Sequence, residues 1–263
     1  MINCVLVALA VLAGASPALA QSAQAGGQAA TPSAIRFLPR YDFHLSADRL
    51  SSDDVRFAWD TNFGGEMDFV DYGRGRTTFA ANYEAVLGNQ FRSFDANQGN
   101  YLLDGSTSLR ARGVEAAAIF HHTSRHLSDR FKRSPVDWNM LGASIRSEVR
   151  RGQMQLGARG DVLGVLLKST VDYSWEANGG VRVRVGVRPH ISVISAGNLR
   201  LVGVDGSRNR TTQSGARGEA GLRFEGDAGA VELIVAAERR IDPYPLEFST
   251  MSWVIGGFRF LSR

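Results

Sequence analysis

Three residues in the middle of the chain have the side-chain types needed for acyl transfer: His122, Ser124 and Asn139. A serine hydroxyl becomes a useful nucleophile only with a base within hydrogen-bond reach, and the base needs a third group to fix its ring. His122 and Ser124 are two residues apart, so on an extended strand they point to the same side. Asn139 can return to that side on the next strand of a hairpin and hold the imidazole.

The segments around them carry the alternation that this placement requires. In "VEAAAIFHH" (114–122), Val114, Ala116, Ala118 and Phe120 share one face, and Glu115 and His121 share the other. Continuing the count puts His122 and Ser124 on the apolar face. The parity of Leu141, Ala143 and Ile145 puts Asn139 there as well. The same period of two runs through "VRVRVGVRPHISV" (181–193), with valines against Arg182, Arg184, Arg188 and His190. Strands are expected at 40–47, 53–63, 76–88, 99–111, 114–122, 137–150, 153–163, 167–177, 180–194, 213–225, 229–240 and 250–262. Tight turns at 112–113, 150–152, 178–180 and 226–229 alternate with longer links at 123–136, 195–212 and 241–249. Short links at one end and long links at the other describe an all-β, antiparallel up-and-down transmembrane barrel of about twelve strands. Apolar faces then meet lipid, and a lumen of mixed charge pairs with itself. Trp59, Tyr83, Tyr173, Trp175 and Trp253 are candidates for interfacial girdles. A polar group facing lipid is costly and marks a functional site. A nucleophile there meets the ester bonds of phospholipid or lipid A.

The ends and the composition fit this class. "MINCVLVALAVLAGASPALAQS" has an apolar run and a small-x-small site at Ala18-Leu19-Ala20, which reads as a cleaved signal peptide over 1–20. A flexible periplasmic leader is expected over 21–39 and the barrel over 40–263. Cys4, the single cysteine, lies within the signal, so a disulfide framework and a cysteine metal site are excluded. No segment has the ~20 apolar residues of a membrane helix. The 30 basic residues exceed the 26 acidic ones only slightly. They alternate within strands and form no nucleic-acid footprint.

Two sets of residues carry family resemblances. His122-Thr123-Ser124 followed by Asp137-Trp138-Asn139 resembles the outer-membrane phospholipase A family, which has a membrane-facing His-x-Ser and a Trp-Asn on the following strand. The outer-membrane lipid A deacylases share a His-x-Ser pair in a similar position. "HTSRHLSDR" (122–130) resembles the His-x-Ser-Ser-His-Leu-Gly-Asp-Glu motif of a family of uncharacterised bacterial outer-membrane barrels, with local similarity from Asn100 to Ser147. The phospholipase resemblance implies Ser124 as nucleophile, His122 as general base and Asn139 as its orienting partner. It also implies calcium, for which Ser128, Asp129 and Asp137 are the oxygen-bearing candidates. Where the phospholipases have Asn-Gly after the serine, this chain has Arg125-His126. His126 reads as a loop or rim residue. The C-terminal Phe258-Arg259-Phe260 resembles the signal by which the outer-membrane assembly machinery recognises its clients. The sequence leaves three activities open: a lipid acyl-ester hydrolase, a small channel, and a structural barrel.

Overall fold

The computed structural model describes residues 35–128, 130–131 and 134–262. The expected signal peptide with Cys4, most of the leader, and the calcium candidate Asp129 lie outside the described residues. Twelve strands pair in sequence order and close into an antiparallel barrel. They are β1 (Arg36–Leu50), β2 (Trp59–Asp71), β3 (Arg76–Gly88), β4 (Asp95–Ala111), β5 (Val114–His126) and β6 (Val136–Arg151). β7 (Met154–Ser169), β8 (Tyr173–Arg188), β9 (Ile191–Val204), β10 (Gln213–Glu225), β11 (Gly229–Ile241) and β12 (Thr250–Ser262) complete the ring. β1 closes on β12, from His44 opposite Leu261 to Leu50 opposite Ile255.

The turns confirm the two-ended pattern. Arg112 and Gly113 have φ of 50° and 77°, the left-handed pair that a two-residue hairpin turn needs. Strand boundaries differ from expectation in several places: β1 already begins at Arg36, inside the expected leader, β2 covers 59–71 where 53–63 was expected, and the largest change is in β7–β9. Asn178-Gly179-Gly180 is no turn; it runs through β8, and the hairpin lies at Pro189-His190, where His190 has a φ of 64°. Tertiary packing overrides the turn signal. Asn178 donates to Asp161 Oδ1 at 2.7 Å. A Cβ on Gly180 would lie 2.4 Å from Asn198 Oδ1, so this glycine makes room for a neighbour's side chain. As a result β7 lengthens from the expected 153–163 to 154–169, β8 moves from 167–177 to 173–188 and β9 from 180–194 to 191–204, and the long link shrinks to 205–212.

The outside is apolar, with Leu199, Val235 and Val254 each about two-thirds exposed. Val181, Val185 and Val187 share that surface, whereas Arg182 pairs inside with Glu232, and Arg184 with Glu225. An exterior of this kind suits hydrocarbon, and an interior of paired charge suits a wet lumen. The fully buried Glu232 faces Arg182, Arg223 and Arg259. Arg217 bridges Asp48, Glu219 and Glu238.

Toward the long-link end, the lumen is filled. Trp138, Met140, Leu163, Tyr173, Val202 and Ile241 form one buried cluster there, and Leu50, Phe57, Val86, Trp253 and Ile255 take part in a second. Tyr173 and Trp253 are therefore interior residues, at 2% and 4% exposure, and do not belong to a girdle. The β11–β12 link folds inward across this end. Arg125 on β5 donates to the carbonyls of Asp242 at 2.7 Å and Pro243 at 2.9 Å. Tyr173 Oη donates to Asp242 Oδ2 at 2.7 Å. Arg210 in the β9–β10 link grips both Asp172 and Asp242. Burial pushes the Asp172 carboxyl up, but the Arg210 guanidinium outweighs it and holds the group below its ordinary range. A cavity of about 1770 Å³ lies beneath the clusters and reaches Arg112 and Gly113 at the short-turn end. The barrel is thus expected to pass no steady current in a planar bilayer. The double change Trp138→Ala/Tyr173→Ala is expected to produce resolvable single-channel steps by emptying the filled end.

Candidate active site

The register between β5 and β6 is unbroken from Val114–Ser147 to Arg125–Val136, so the alternation of faces holds along the whole strand. Glu115, Ile119, His121, Thr123 and Arg125 line the lumen. Their even-numbered neighbours, including His122 and Ser124, face outward with the exposed Phe120. Asn139 stands directly opposite His122 on β6. The structure brings these two together: His122 Nδ1 lies 2.8 Å from Asn139 Oδ1. An amide oxygen only accepts, so Nδ1 carries the proton and Nε2 is left as the acceptor, the tautomer a general base needs.

Ser124 is placed differently from expectation. Its Oγ lies 2.8 Å from Nε2 of His126 rather than bonding His122. His126 is the last residue of β5, not part of the following loop, because the strand runs four residues past the expected end at 122. The two-residue period that places His122 beside Ser124 places His126 on its other side. The signal was therefore in the sequence, as a symmetric His-x-Ser-x-His. The His126 ring meets Tyr101 edge-on, with centroids 5.5 Å apart. Rotation about χ1 moves a serine hydroxyl among three staggered positions, so Ser124 can turn from one flanking imidazole to the other. In this arrangement, polar groups set against lipid satisfy one another, as a water-free surface demands.

Arg125 does not take over the role of the Asn-Gly pair that it replaces. Its guanidinium points inward to the β11–β12 link and to Gln98 Oε1 at 3.0 Å, and it serves to hold that link. Behind the outward set, His121 bridges Asp104 and Thr123 at the lumen wall, a contact that no spacing in the sequence singles out.

The calcium candidates do not gather into a site among the described residues. Asp137 stands opposite Ser124 on the outer face, and Ser128 lies in the turn after β5 with a φ of 55°. No group of three or more His, Asp or Glu side chains is placed to hold a metal among the described residues. Calcium takes 6–8 oxygens, and among the described residues Asp137 opposite Ser124 supplies only part of such a set.

No family model matches the chain, and no curated protein matches it in sequence. Solved structures do match in shape. Outer membrane phospholipase A from Escherichia coli superposes with a TM-score of 0.51 at 11% identity, over 86% of this chain and 93% of that one. The calcium-bound dimer of outer membrane phospholipase from Salmonella typhi gives 0.52 at 11% identity, over 89% and 94% of the two chains. The chain has the fold of an outer-membrane β-barrel. LpxR from Salmonella typhimurium also aligns, with a TM-score of 0.46 at 10% identity, over 83% and 99% of the two chains. With its closed ring and apolar exterior, the barrel belongs in the bacterial outer membrane.

Proposed function

We propose that this barrel is a lipid acyl-ester hydrolase of the outer membrane, with Ser124 as nucleophile, His122 as general base and Asn139 as its orienting partner. The observation that carries the reading is the His122–Asn139 hydrogen bond on the lipid-facing wall, one two-residue step from a serine hydroxyl. Ser124 Oγ attacks the ester carbonyl while its proton passes to His122 Nε2. The same proton then goes to the departing alcohol oxygen, and the acyl group stays on the serine. Water, deprotonated by the same imidazole, releases the fatty acid and restores the hydroxyl. Asn139 keeps the ring in the accepting tautomer throughout. His126 holds the hydroxyl between turnovers. Substrate is thus drawn from membrane phospholipid or lipid A, with no role for nucleic acid. Phe258 and Phe260, in edge-to-face contact near the end of β12, serve as the signal to the assembly machinery.

The test is covalent labelling. A lipid-like phosphonyl fluoride is expected to modify Ser124 in the folded barrel, mapped by mass spectrometry, and the same preparation is expected to release fatty acid from phospholipid micelles. Neither labelling nor release from a demonstrably folded barrel overturns the reading. A structural barrel then takes its place, supported by the paired lumen and its filled end.

A further inference from the structure

β5 carries a second polar set on its opposite face, and in this one the hydrogen bonds are continuous. His121 and Thr123 face the lumen, and Asp104 on β4 stands directly opposite His121. His121 Nδ1 is hydrogen-bonded to Asp104 Oδ1, and its Nε2 lies 2.8 Å from Thr123 Oγ1. A carboxylate only accepts, so Nδ1 carries the proton. Nε2 is then the acceptor, and the Thr123 hydroxyl donates to it. Carboxylate, imidazole and hydroxyl thus stand in the order by which a base activates a nucleophile. On the outer face the chain of bonds is interrupted, since Ser124 bonds His126 and not the ring held by Asn139. Threonine is β-branched and stiff at χ1, which keeps its hydroxyl at the base.

The surroundings suit a reacting group. All three side chains border the lumen cavity, which reaches Arg112 and Gly113 at the short-turn end. Ile119 precedes His121 on the same face, and Met140 stands directly opposite His121 on β6. Both belong to the buried apolar cluster. Nearer the short-turn end the wall becomes charged, with Arg76 and Arg146 paired to Glu115. Diagonally across from Thr123, Asn100 on β4 also lines the cavity and is 2% exposed. Its Oδ1 has no hydrogen-bond partner among the described residues. A buried acceptor left unmet is costly, and a donor on a molecule in the cavity would satisfy it. Arg125, the next lumen residue after Thr123, puts on this wall the positive charge that a developing oxyanion needs.

We infer that Asp104, His121 and Thr123 form a second acyl-transfer site, which hydrolyses small water-soluble carboxylic esters entering the lumen from the short-turn end. The acyl group rests on Ile119 and Met140, and the alcohol part lies toward the charged wall. Thr123 Oγ1 gives its proton to His121 Nε2 and bonds to the ester carbonyl carbon. The imidazolium returns that proton to the alcohol oxygen as the carbon–oxygen bond breaks, leaving an acyl-threonine. Water then attacks the acyl carbon and gives a proton to Nε2. That proton passes to Oγ1 as the threonine ester breaks, so the products are one carboxylic acid and one alcohol. Asp104 holds the ring and balances its charge. The closed sheet separates this site from the bilayer, so it stands independently of Ser124 and of membrane lipid.

The test uses the Ser124→Ala barrel, in which the outer hydroxyl is gone. A small water-soluble phosphonofluoridate is expected to modify Thr123, with the adduct mapped by mass spectrometry. Labelling is expected to vanish in Thr123→Val/Ser124→Ala, which nearly preserves side-chain shape, and to persist in Thr123→Ser/Ser124→Ala. His121→Gln/Ser124→Ala is expected to slow it by about 10²–10⁴-fold, the contribution of a general base. The heat-dependent gel shift of a barrel checks that each variant is folded. No adduct in the folded Ser124→Ala barrel, an adduct on another residue, or a rate unmoved by His121→Gln each overturns the site. The set then serves only to satisfy polar groups at the lumen wall. The lipid-like probe reads the outer site separately. Thr123 labelled by the small probe while Ser124 escapes the lipid-like one keeps the lumen site and sinks the outer hydrolase, and the reverse pattern sinks the lumen site alone.

Discussion

Ser124→Ala is expected to reduce fatty-acid release to the uncatalysed background, a loss of about 10⁴–10⁶-fold, as when one member of a concerted nucleophile–base set is removed. The flanking histidines separate the roles within the set. His122→Ala is expected to cost about 10²–10⁴-fold, the usual contribution of a general base. Its ring is the one held by Asn139 in the accepting tautomer. His126→Ala removes the resting partner of the hydroxyl and is expected to change the rate by less than about tenfold, since the transition state keeps its base. Asn139→Leu is expected to follow His122→Ala in direction. Steady-state rates in mixed micelles, with folding checked by the heat-dependent gel shift of a barrel, decide among these outcomes. If the order of the two histidines is reversed, the base is His126, and the His122–Asn139 pair serves only to satisfy two polar groups against lipid.

The parts of this molecule that were legible in the sequence are those governed by the period of two. Val114 to Ser124 could be assigned to faces because β5 has no bulge against β6, so a parity count made at Phe120 still holds at Ser124. The first irregularity of β6 comes only on its other side, between Asn139 and Met140 in the pairing with β7. Strand ends were less legible. Ending β5 at His122 removed His126 from the face count, though the same count places it beside Ser124. The β7–β9 region was misread for a different reason. Asn178-Gly179-Gly180 has turn chemistry, but these residues are used for close side-chain packing at the lumen wall, and Pro189-His190 makes the turn. Tyr173 and Trp253 were beyond sequence reasoning, since an aromatic on a strand gives no sign of whether it meets a membrane interface or a packed lumen.

The lumen's charge network supplies the second large effect. Arg240 donates to Asp60 at 2.5 Å, to Glu84 at 3.1 Å and to Glu238 at 2.6 Å, and it stacks on Trp253 with its guanidinium carbon 5.4 Å from the ring centroid. Asp60 is 2% exposed. A guanidinium surrounded by three carboxylates fixes the relative positions of β2, β3 and β11, which are not all adjacent around the ring. Arg240→Met keeps much of the apolar bulk against Trp253 and removes the charge. It is expected to cost about 3–5 kcal/mol, because Asp60 and Glu84 are left without their counter-charge while Glu238 keeps Arg217. The lost attraction is the smaller part of that cost. Urea unfolding of the barrel in detergent micelles, followed by tryptophan fluorescence, measures it. The double change Arg240→Met/Asp60→Asn separates the two contributions. Neutralising Asp60 removes the most buried of the orphaned charges, so the double variant is expected to recover part of the stability lost by the single one. If both variants are equally unstable, the role of Arg240 is its packing against Trp253 at the filled end, and the carboxylates around it are solvated well enough to stand alone.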